Sequence, residues 1–447
     1  MVDAVQQGRI RAEGRCIKPN QCFSIPCAHT WPEPSLSVVA FEGAHLIMKN
    51  IYLISNVKDG GKTYLEYLLP ALNALRNTFN CIVLQTRTTG ISNYEAGQIL
   101  NYPVQEVDLL FIAQLESQIV ISNDAIIGAL LDESSFGIFI AHGNVGMPVK
   151  DKQYFADLIS YWDVVVSSSR SLSDLINAGL KFYRHDRAVL RIPSKRKSRR
   201  SDLRMTTVVS TLPVKIPAPF SSAPELRETS QEYTVGLLPT QIGICPDGAS
   251  LFECMNVVIN TVKARIPHAK FILRPYMTDF DHPYVEEMFE QLHQYPWISI
   301  DNTRQSSKEF YQRCDTIITD ASSGGVSFML NTGRLPIYYV PNVDEDNMIV
   351  KTWLEQMGGF LPIARTSDEL EDLLFGFELL TREQRYSIYK NFYDAEYSGQ
   401  FYPNEVFQDL IQKKHQSDFR YSCTNALGEI VRSAIKAPNE PRSCHAV

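Results

Sequence analysis

At 447 residues, with 44% hydrophobic and 21% charged residues, the chain has the composition of a soluble globular protein and the length of two domains with extensions. Its net charge of −7 gives no overall attraction to nucleic acid, and no uninterrupted apolar run approaches the roughly 20 residues of a membrane helix. The nine cysteines are scattered without a Cys-x-x-Cys pair, which excludes the common zinc and thioredoxin-type motifs and points to reduced thiols in a cytoplasmic protein.

Residues 1–47 carry four prolines and little periodicity, so they are expected to form an irregular N-terminal extension. From Met48, "MKNIYLISNV" reads as a buried strand. A helical pattern follows in "TYLEYLLPALNALRN", then strands in "CIVLQT", "SQIVIS", "GIFIAH" and "DVVVSSS". Strands alternating with helices imply a parallel sheet covered on both faces, so residues 48–192 are expected to form one Rossmann-like domain. Just after the first strand, "SNVKDGGKT" imitates a phosphate-binding loop, but Asn56 stands where that motif needs its first glycine. Gly60 and Gly61 read better as a glycine-rich loop on the acceptor side of a cleft.

Residues 193–232 are polar, basic and rich in proline, the composition of a linker. Within them "KRKSRR", 195–200, suits either a solvated segment or contact with anionic lipid headgroups, which attract such residues by about 1 kcal/mol each. Aromatic residues are not interleaved with these charges, so RNA is not an expected partner. The alternating pattern then restarts. "YTVGLLP", "AKFILRP", "TIITD" and "LPIYYV" read as strands, and "ASLFECMNVVINTVKARI" and "SSKEFYQRC" as helices. Residues 233–385 thus form a second sheet domain, and 386–447 the C-terminal helices and tail. The fold class is α/β, two parallel-sheet domains facing a central cleft. Open parallel sheets bind ligands beyond the carboxyl ends of their strands, so such a pair can hold a donor and an acceptor between them.

In "TIITDASSGGVSF" the strand is expected to end near Thr319 and a helix to begin near Ser322 or Ser323, because serine caps helices and glycine permits close backbone approach. The turn offers N–H groups, two hydroxyls and the positive end of a helix dipole, an arrangement that suits an anion. Two readings stay open: a capped turn with nothing bound, or a diphosphate site built from Thr319, Ser322, Ser323 and Gly324. Asp320 would then orient the loop or touch a donor hydroxyl, since a carboxylate repels phosphate.

"TDASSGGVSFMLNTGRLPIYYVP" resembles the Thr-Asp-Tyr-Ser-Ser segment of the CDP-glycerol glycerophosphotransferases, the teichoic-acid polymerases and primases. "IAHGNVGMPVKD", "DVVVSSSRSLSDLI", "LLPTQ" and "FILRPY" resemble further family segments in the same order, over residues 138–342, and "NFYDAEYSGQF" echoes one near the C-terminus. The sequence departs from the pattern at Tyr276, where the family has a histidine, at Ala321 in place of a tyrosine, and at Asn144-Val145 after His142-Gly143. The resemblance implies a GT-B fold and a transferase that moves glycerol phosphate or a related polyol phosphate to a hydroxyl of a cell-surface polymer. It also implies His142 as the general base, Gly143 on the acceptor side, and Thr240 and Arg274 toward the donor phosphates. His282, displaced by six residues, is a candidate substitute for the missing histidine.

The bare residues agree that an imidazole at a strand end can deprotonate a hydroxyl, and that a guanidinium can fork two phosphate oxygens. The expected partners are a nucleotide-activated donor, either a CDP-polyol or a UDP-sugar, and a polymer or lipid-linked acceptor. Peripheral contact with the inner face of the membrane is one of the two readings of the basic run, beside a solvated linker; no nucleic acid, cofactor or metal is expected. "DED" at 344–346 reads as an exposed acidic loop. Rival readings are a nucleotide-sugar glycosyltransferase of the same architecture, a nucleotide-sugar epimerase, and a non-catalytic binding subunit.

Overall fold

The computed structural model describes residues 50–58, 61–143, 158–182, 206–214, 220, 233–243, 250–303, 306–342 and 348–415, all within the compact unit Met48–Val447. The extension 1–47, Gly60, the basic run 195–200, the acidic loop 344–346 and the tail beyond 415 lie outside the described residues.

The described strands form two sheets. The first holds β1 (Ile51–Ser55), β2 (Cys81–Gln85), β3 (Val104–Glu106), β4 (Ile119–Ser122), β5 (Phe136–Ile140), β6 (Val164–Ser167) and β7 (Thr207–Ser210), in the order β3-β2-β1-β4-β5-β6-β7. The second holds β8 (Thr234–Leu238), β9 (Lys270–Leu273), β10 (Ile298–Ile300), β11 (Thr316–Thr319), β12 (Ile337–Tyr339) and β13 (Ile363–Ala364), in the order β10-β9-β8-β11-β12-β13. Every pairing is parallel; Ile51 stands opposite both Cys81 and Ile119, and Thr316 opposite Val235. Near-continuous apolar strands such as "FGIFI" and "VVVS" are buried on both faces, as a parallel sheet covered by helices requires.

Both sheets follow one winding rule. The chain builds outward from β1 to β3 and then reverses to the other side of β1 with β4; it builds from β8 to β10 and reverses with β11. Each reversal opens a crevice between the central strands, β1 and β4 in one sheet, β8 and β11 in the other.

The sequence assigns β7 to the linker 193–232. In the structure Thr207–Ser210 pairs with β6 and closes the sheet edge, with Val208 and Val209 buried. Four apolar-spaced residues among prolines and charges are too few to stand out by periodicity. The C-terminal helices also cross back. Helix Pro403–His415 buries Val406, Phe407, Leu410 and Ile411 in the core of the first sheet, and Gln408 Nε2 donates to the Ala74 carbonyl at 3.2 Å. Just before the crossing, Glu396 accepts a hydrogen bond from the Ser171 backbone N–H at 3.1 Å and Arg170 donates to the Ser398 carbonyl at 3.0 Å. Residues 396–411 therefore tie the two sheets together. No described helix is long and apolar enough to cross a membrane.

Candidate active site

The two crevices meet in one cleft of about 170 Å³, lined by residues of both sheets. From the first sheet come His142 and Gly143, directly after β5, with Tyr64, Glu66 and Tyr67 from the helical segment after β1. From the second come Leu238, the last residue of β8, and Pro239, with Arg274 to Met277 after β9, Ser322 to Gly324 after β11, and the helix start Ser306 to Lys308 with Tyr311. These residues lie at or beyond the carboxyl ends of the strands, as the crevice rule requires.

His142 is exposed, and its ring stands edge-on to Tyr64, with centroids 4.9 Å apart and planes at 84°, and 6.0 Å from the ring of Tyr67. Two aromatic faces thus set the imidazole's orientation. Gly143 has φ 139°, a region that side-chain-bearing residues rarely enter, so the turn that presents His142 needs a glycine. The Gly143 backbone also hydrogen-bonds the Tyr67 hydroxyl. Burial holds the phenols of Tyr64 and Tyr67 well above their ordinary titration range, so both stay protonated at any physiological pH.

Ser322 is the N-cap of helix Ser323–Thr332, its Oγ accepting from the Gly324 N–H at 3.0 Å. The sequence here is fitted to close approach. A Cβ on Gly324 would lie 2.5 Å from Leu238 Cδ2, and one on Gly325 would lie 2.5 Å from the Tyr338 hydroxyl, so the glycine pair lets the helix start sit directly on β8 and β12. Its positive end opens into the cleft beside Lys308 and Arg274. Arg274 is only 4% exposed, which removes the surface-salt-bridge reading of this residue. Its Nη1 bonds Asp301 Oδ2 at 3.1 Å, and Asp301 also binds Arg313 and the Thr303 hydroxyl. Burial alone would raise the Asp301 pKa, but Thr303 and the two guanidiniums outweigh it and hold the carboxyl below its usual range. Tyr311 lies in hydrogen-bonding reach of Ser307 and Ser327, and burial pushes its phenol up to about 12.

The structure therefore brings His142, Gly143, Arg274, Ser322, Ser323 and Gly324 to one cleft. It does not bring the other candidates to the lining. Thr319 is buried, its Oγ1 donating to the Leu238 carbonyl at 2.5 Å. Asp320 is buried behind the turn, accepting from the Thr240 N–H at 2.9 Å and the Leu251 N–H at 2.9 Å. Thr319, Asp320 and Thr240 thus brace the floor of the cleft from below, Asp320 by orienting loops. Desolvation raises the Asp320 pKa to about 6, against those N–H donors, which lower it. His282 caps helix Pro283–Leu292, its Nδ1 accepting from the Tyr284 N–H at 3.3 Å, so its place is at a helix start outside the cleft lining. Gly61 opens helix Gly61–Leu65, whose contribution to the cleft is Tyr64. Asn56 is tied to Asp124 at 2.8 Å and Thr86 at 2.6 Å, a fastening between strand ends and not a phosphate loop.

Sequence reasoning missed Tyr64, Glu66, Tyr67 and Lys308. The signal for Lys308 was present in "SSKEFYQRC", a serine-capped helix start with a cation in its first turn. Tyr64 and Tyr67 looked like the apolar face of a helix.

No family model matches the chain, and no curated protein matches it. Solved structures share its fold. HepE from Anabaena, in complex with UDP and glucose, is similar with a TM-score of 0.50 at 14% identity, over 83% of this chain and 100% of that one. The wall teichoic acid polymerase TagF is similar with a TM-score of 0.50 at 14% identity, over 83% of this chain and 90% of that one. Two parallel-sheet domains with these neighbours make the fold GT-B.

Proposed function

We propose that this chain transfers a group from a nucleotide-activated donor to a hydroxyl of a polymer or lipid-linked acceptor. The observation that carries the reading is the shared cleft: His142 from one sheet faces the same 170 Å³ as Arg274, Lys308 and the helix start at Ser322–Gly324 from the other.

In this reading the helix start and the two cations hold the donor's phosphates, where fixed N–H groups and charges stabilise the negative charge that develops on the departing nucleotide. His142 takes the proton of the acceptor hydroxyl as that oxygen bonds to the donor's phosphorus or anomeric carbon. The bond from that atom to the nucleotide's phosphate oxygen breaks, and the nucleotide leaves with the electron pair. Edge-on Tyr64 and the glycine turn keep the imidazole aimed during the step.

In its finer form the transferred group is glycerol phosphate or a related polyol phosphate, from a CDP-type donor. The order of motifs from 138 to 342 supports it. Contact of the basic run 195–200 with the inner membrane face would suit a lipid-linked acceptor. A second reading, glycosyl transfer from a UDP-sugar, is favoured by one observation: Tyr276, where the resembled family has a histidine, is engaged with Tyr64 and supplies no imidazole. HepE's complex with UDP and glucose is compatible with it.

A donor screen tests both. Acceptor-dependent release of CMP marks phosphodiester formation, and release of UDP marks sugar transfer. Sugar conversion without an acceptor would mark an epimerase, and donor binding without turnover, unchanged in His142→Ala, a binding subunit.

A further inference from the structure

Three consecutive serines, Ser167, Ser168 and Ser169, end β6 and lead into helix Arg170–Phe182, and all three are fully buried. A buried hydroxyl is costly unless it is hydrogen-bonded, so each needs a partner. Two find one within the loop: Ser167 Oγ donates to the Ser169 carbonyl at 3.3 Å, and Ser169 Oγ accepts from the Leu172 N–H at 3.1 Å. Ser168 reaches out of the loop instead. Its Oγ donates to the Gly143 carbonyl and lies 3.5 Å from the Ala141 carbonyl, so it touches the backbone on both sides of His142. His142 and Gly143 line the cleft, whereas Ser168 stands behind them.

We propose that Ser168 is a positioning residue for the transfer step: it acts through the backbone of Ala141 and Gly143 to hold His142 where it can take the acceptor's proton. The proposal rests on the transferase reading above. A glycine at φ 139° has many other conformations open to it, so this turn needs partners from outside to fix it. Gly143 has two, the Tyr67 hydroxyl from the segment after β1 and the Ser168 hydroxyl from the loop after β6. On the strand side Ala141 is fixed as well, its N–H donating to the Val166 carbonyl at 2.9 Å. His142 therefore sits between two held neighbours, and the hydroxyl of Ser168 faces both. Proton transfer demands such fixing, because the base must stay within hydrogen-bond reach of the acceptor hydroxyl, and a misplacement of about 1 Å can cost about 100-fold in rate. Fully buried, Ser168 has no path to a substrate, so its effect on the chemistry passes through His142.

The test uses the full chain and compares the native protein, Ser168→Ala, His142→Ala and the double variant, by nucleotide release from the donor that the screen above identifies. Ser168→Ala is expected to lower kcat about tenfold while the donor KM stays within about twofold. In the His142→Ala background the same substitution should change kcat by less than about twofold, because a residue that acts through the imidazole then has nothing to act on. A second measurement needs no turnover. The His142 ring signal in the NMR spectrum, identified by its loss in His142→Ala, should shift or broaden in Ser168→Ala, while the signals of His268, His282 and His293 stay in place. Should Ser168→Ala not fold, Ser168→Cys, which fills the site with a weak donor, takes its place. An equal loss of kcat in both backgrounds overturns the proposal, as does an unmoved His142 signal. Failure of the transferase reading is separate: it shows as no nucleotide bound or consumed by the native chain, and the ring signal then decides by itself whether Ser168 holds His142.

Discussion

The hydroxyls of Tyr64 and Tyr276 hydrogen-bond to each other across the cleft, joining the helix after β1 in one sheet domain to the loop after β9 in the other. Tyr64 is buried and Tyr276 half-buried, and desolvation raises both phenols, so the pair does not titrate near neutrality. Both tyrosines line the cleft of about 170 Å³, so the phenol pair ties its two sides together. Tyr64→Phe or Tyr276→Phe leaves one hydroxyl stranded and is expected to cost about 1 kcal/mol. The double variant removes both hydroxyls and is expected to cost no more than either single one, a coupling of about 1 kcal/mol read by urea unfolding. Simple additivity would show that the two groups do not act as a pair.

His142→Ala is expected to lower turnover by about 100-fold or more while leaving donor binding within about twofold, because the imidazole is assigned to the proton and not to the phosphates. The native rate should rise with pH as the imidazole loses its proton, and that limb should disappear in the variant. A variant that keeps the native pH profile would remove His142 from the chemistry.

The helix start gives a different signature. Ser322→Ala loses a cap, at about 1 kcal/mol of stability, whereas Ser323→Ala leaves the cap intact. If the turn holds phosphate, the pair of substitutions weakens UDP or CDP about tenfold by calorimetry. Gly324→Ala should do the same by a steric route, since its Cβ would press on Leu238 and displace the helix start. Unchanged nucleotide affinity in all three would reduce Ser322 to a structural cap.

Much of this arrangement is legible in the sequence, and the illegible part has a common cause. Strong apolar runs announce β1, β2, β4, β5, β6, β8, β9, β11 and β12, and the turn at Ser322 announces itself through serine and glycine chemistry. The three-residue strands β3 and β10 and the edge strand β7 carry too few residues for a period to appear, and pairing with a formed neighbour decides them. At the cleft, spacing along a strand end finds residues of one loop, such as His142 and Gly143. It cannot say that Tyr64 meets Tyr276, separated by 212 residues, because that contact exists only once the sheets face each other. Charge alone separates Asp320 from Ser322 in the sequence, as a loop-orienting carboxylate beside a phosphate-compatible hydroxyl, but only the fold shows that Asp320 is buried on the Thr240 and Leu251 N–H groups and so is withdrawn from any donor hydroxyl.

Asp320 supplies a pH prediction with a definite sign. Its carboxyl is buried and titrates at about 6, above the value near 3.9 of an unfolded aspartate. The folded state therefore binds the proton more tightly than the unfolded state between those values, so stability should fall as pH rises from about 4 to about 6 and level off above. The displacement corresponds to roughly 3 kcal/mol. Asp320→Asn cannot titrate and should flatten that part of the curve. It keeps one oxygen for the Thr240 or the Leu251 N–H but sets an amide N–H against the other, at about 1–3 kcal/mol. At pH 8 this loss is offset by relief of the buried charge, so the variant and the native chain should lie close there and diverge at pH 4, where the native chain is the more stable. Asp320→Ala strands both backbone donors and likewise cannot titrate, so its cost relative to the native chain should be largest at pH 4, at about 2 kcal/mol or more, and smaller at pH 8 by the same relief of charge. Urea titrations at pH 4, 5, 6 and 8 read the difference, and an identical slope in the native and Asp320→Asn chains would assign the titration to another group.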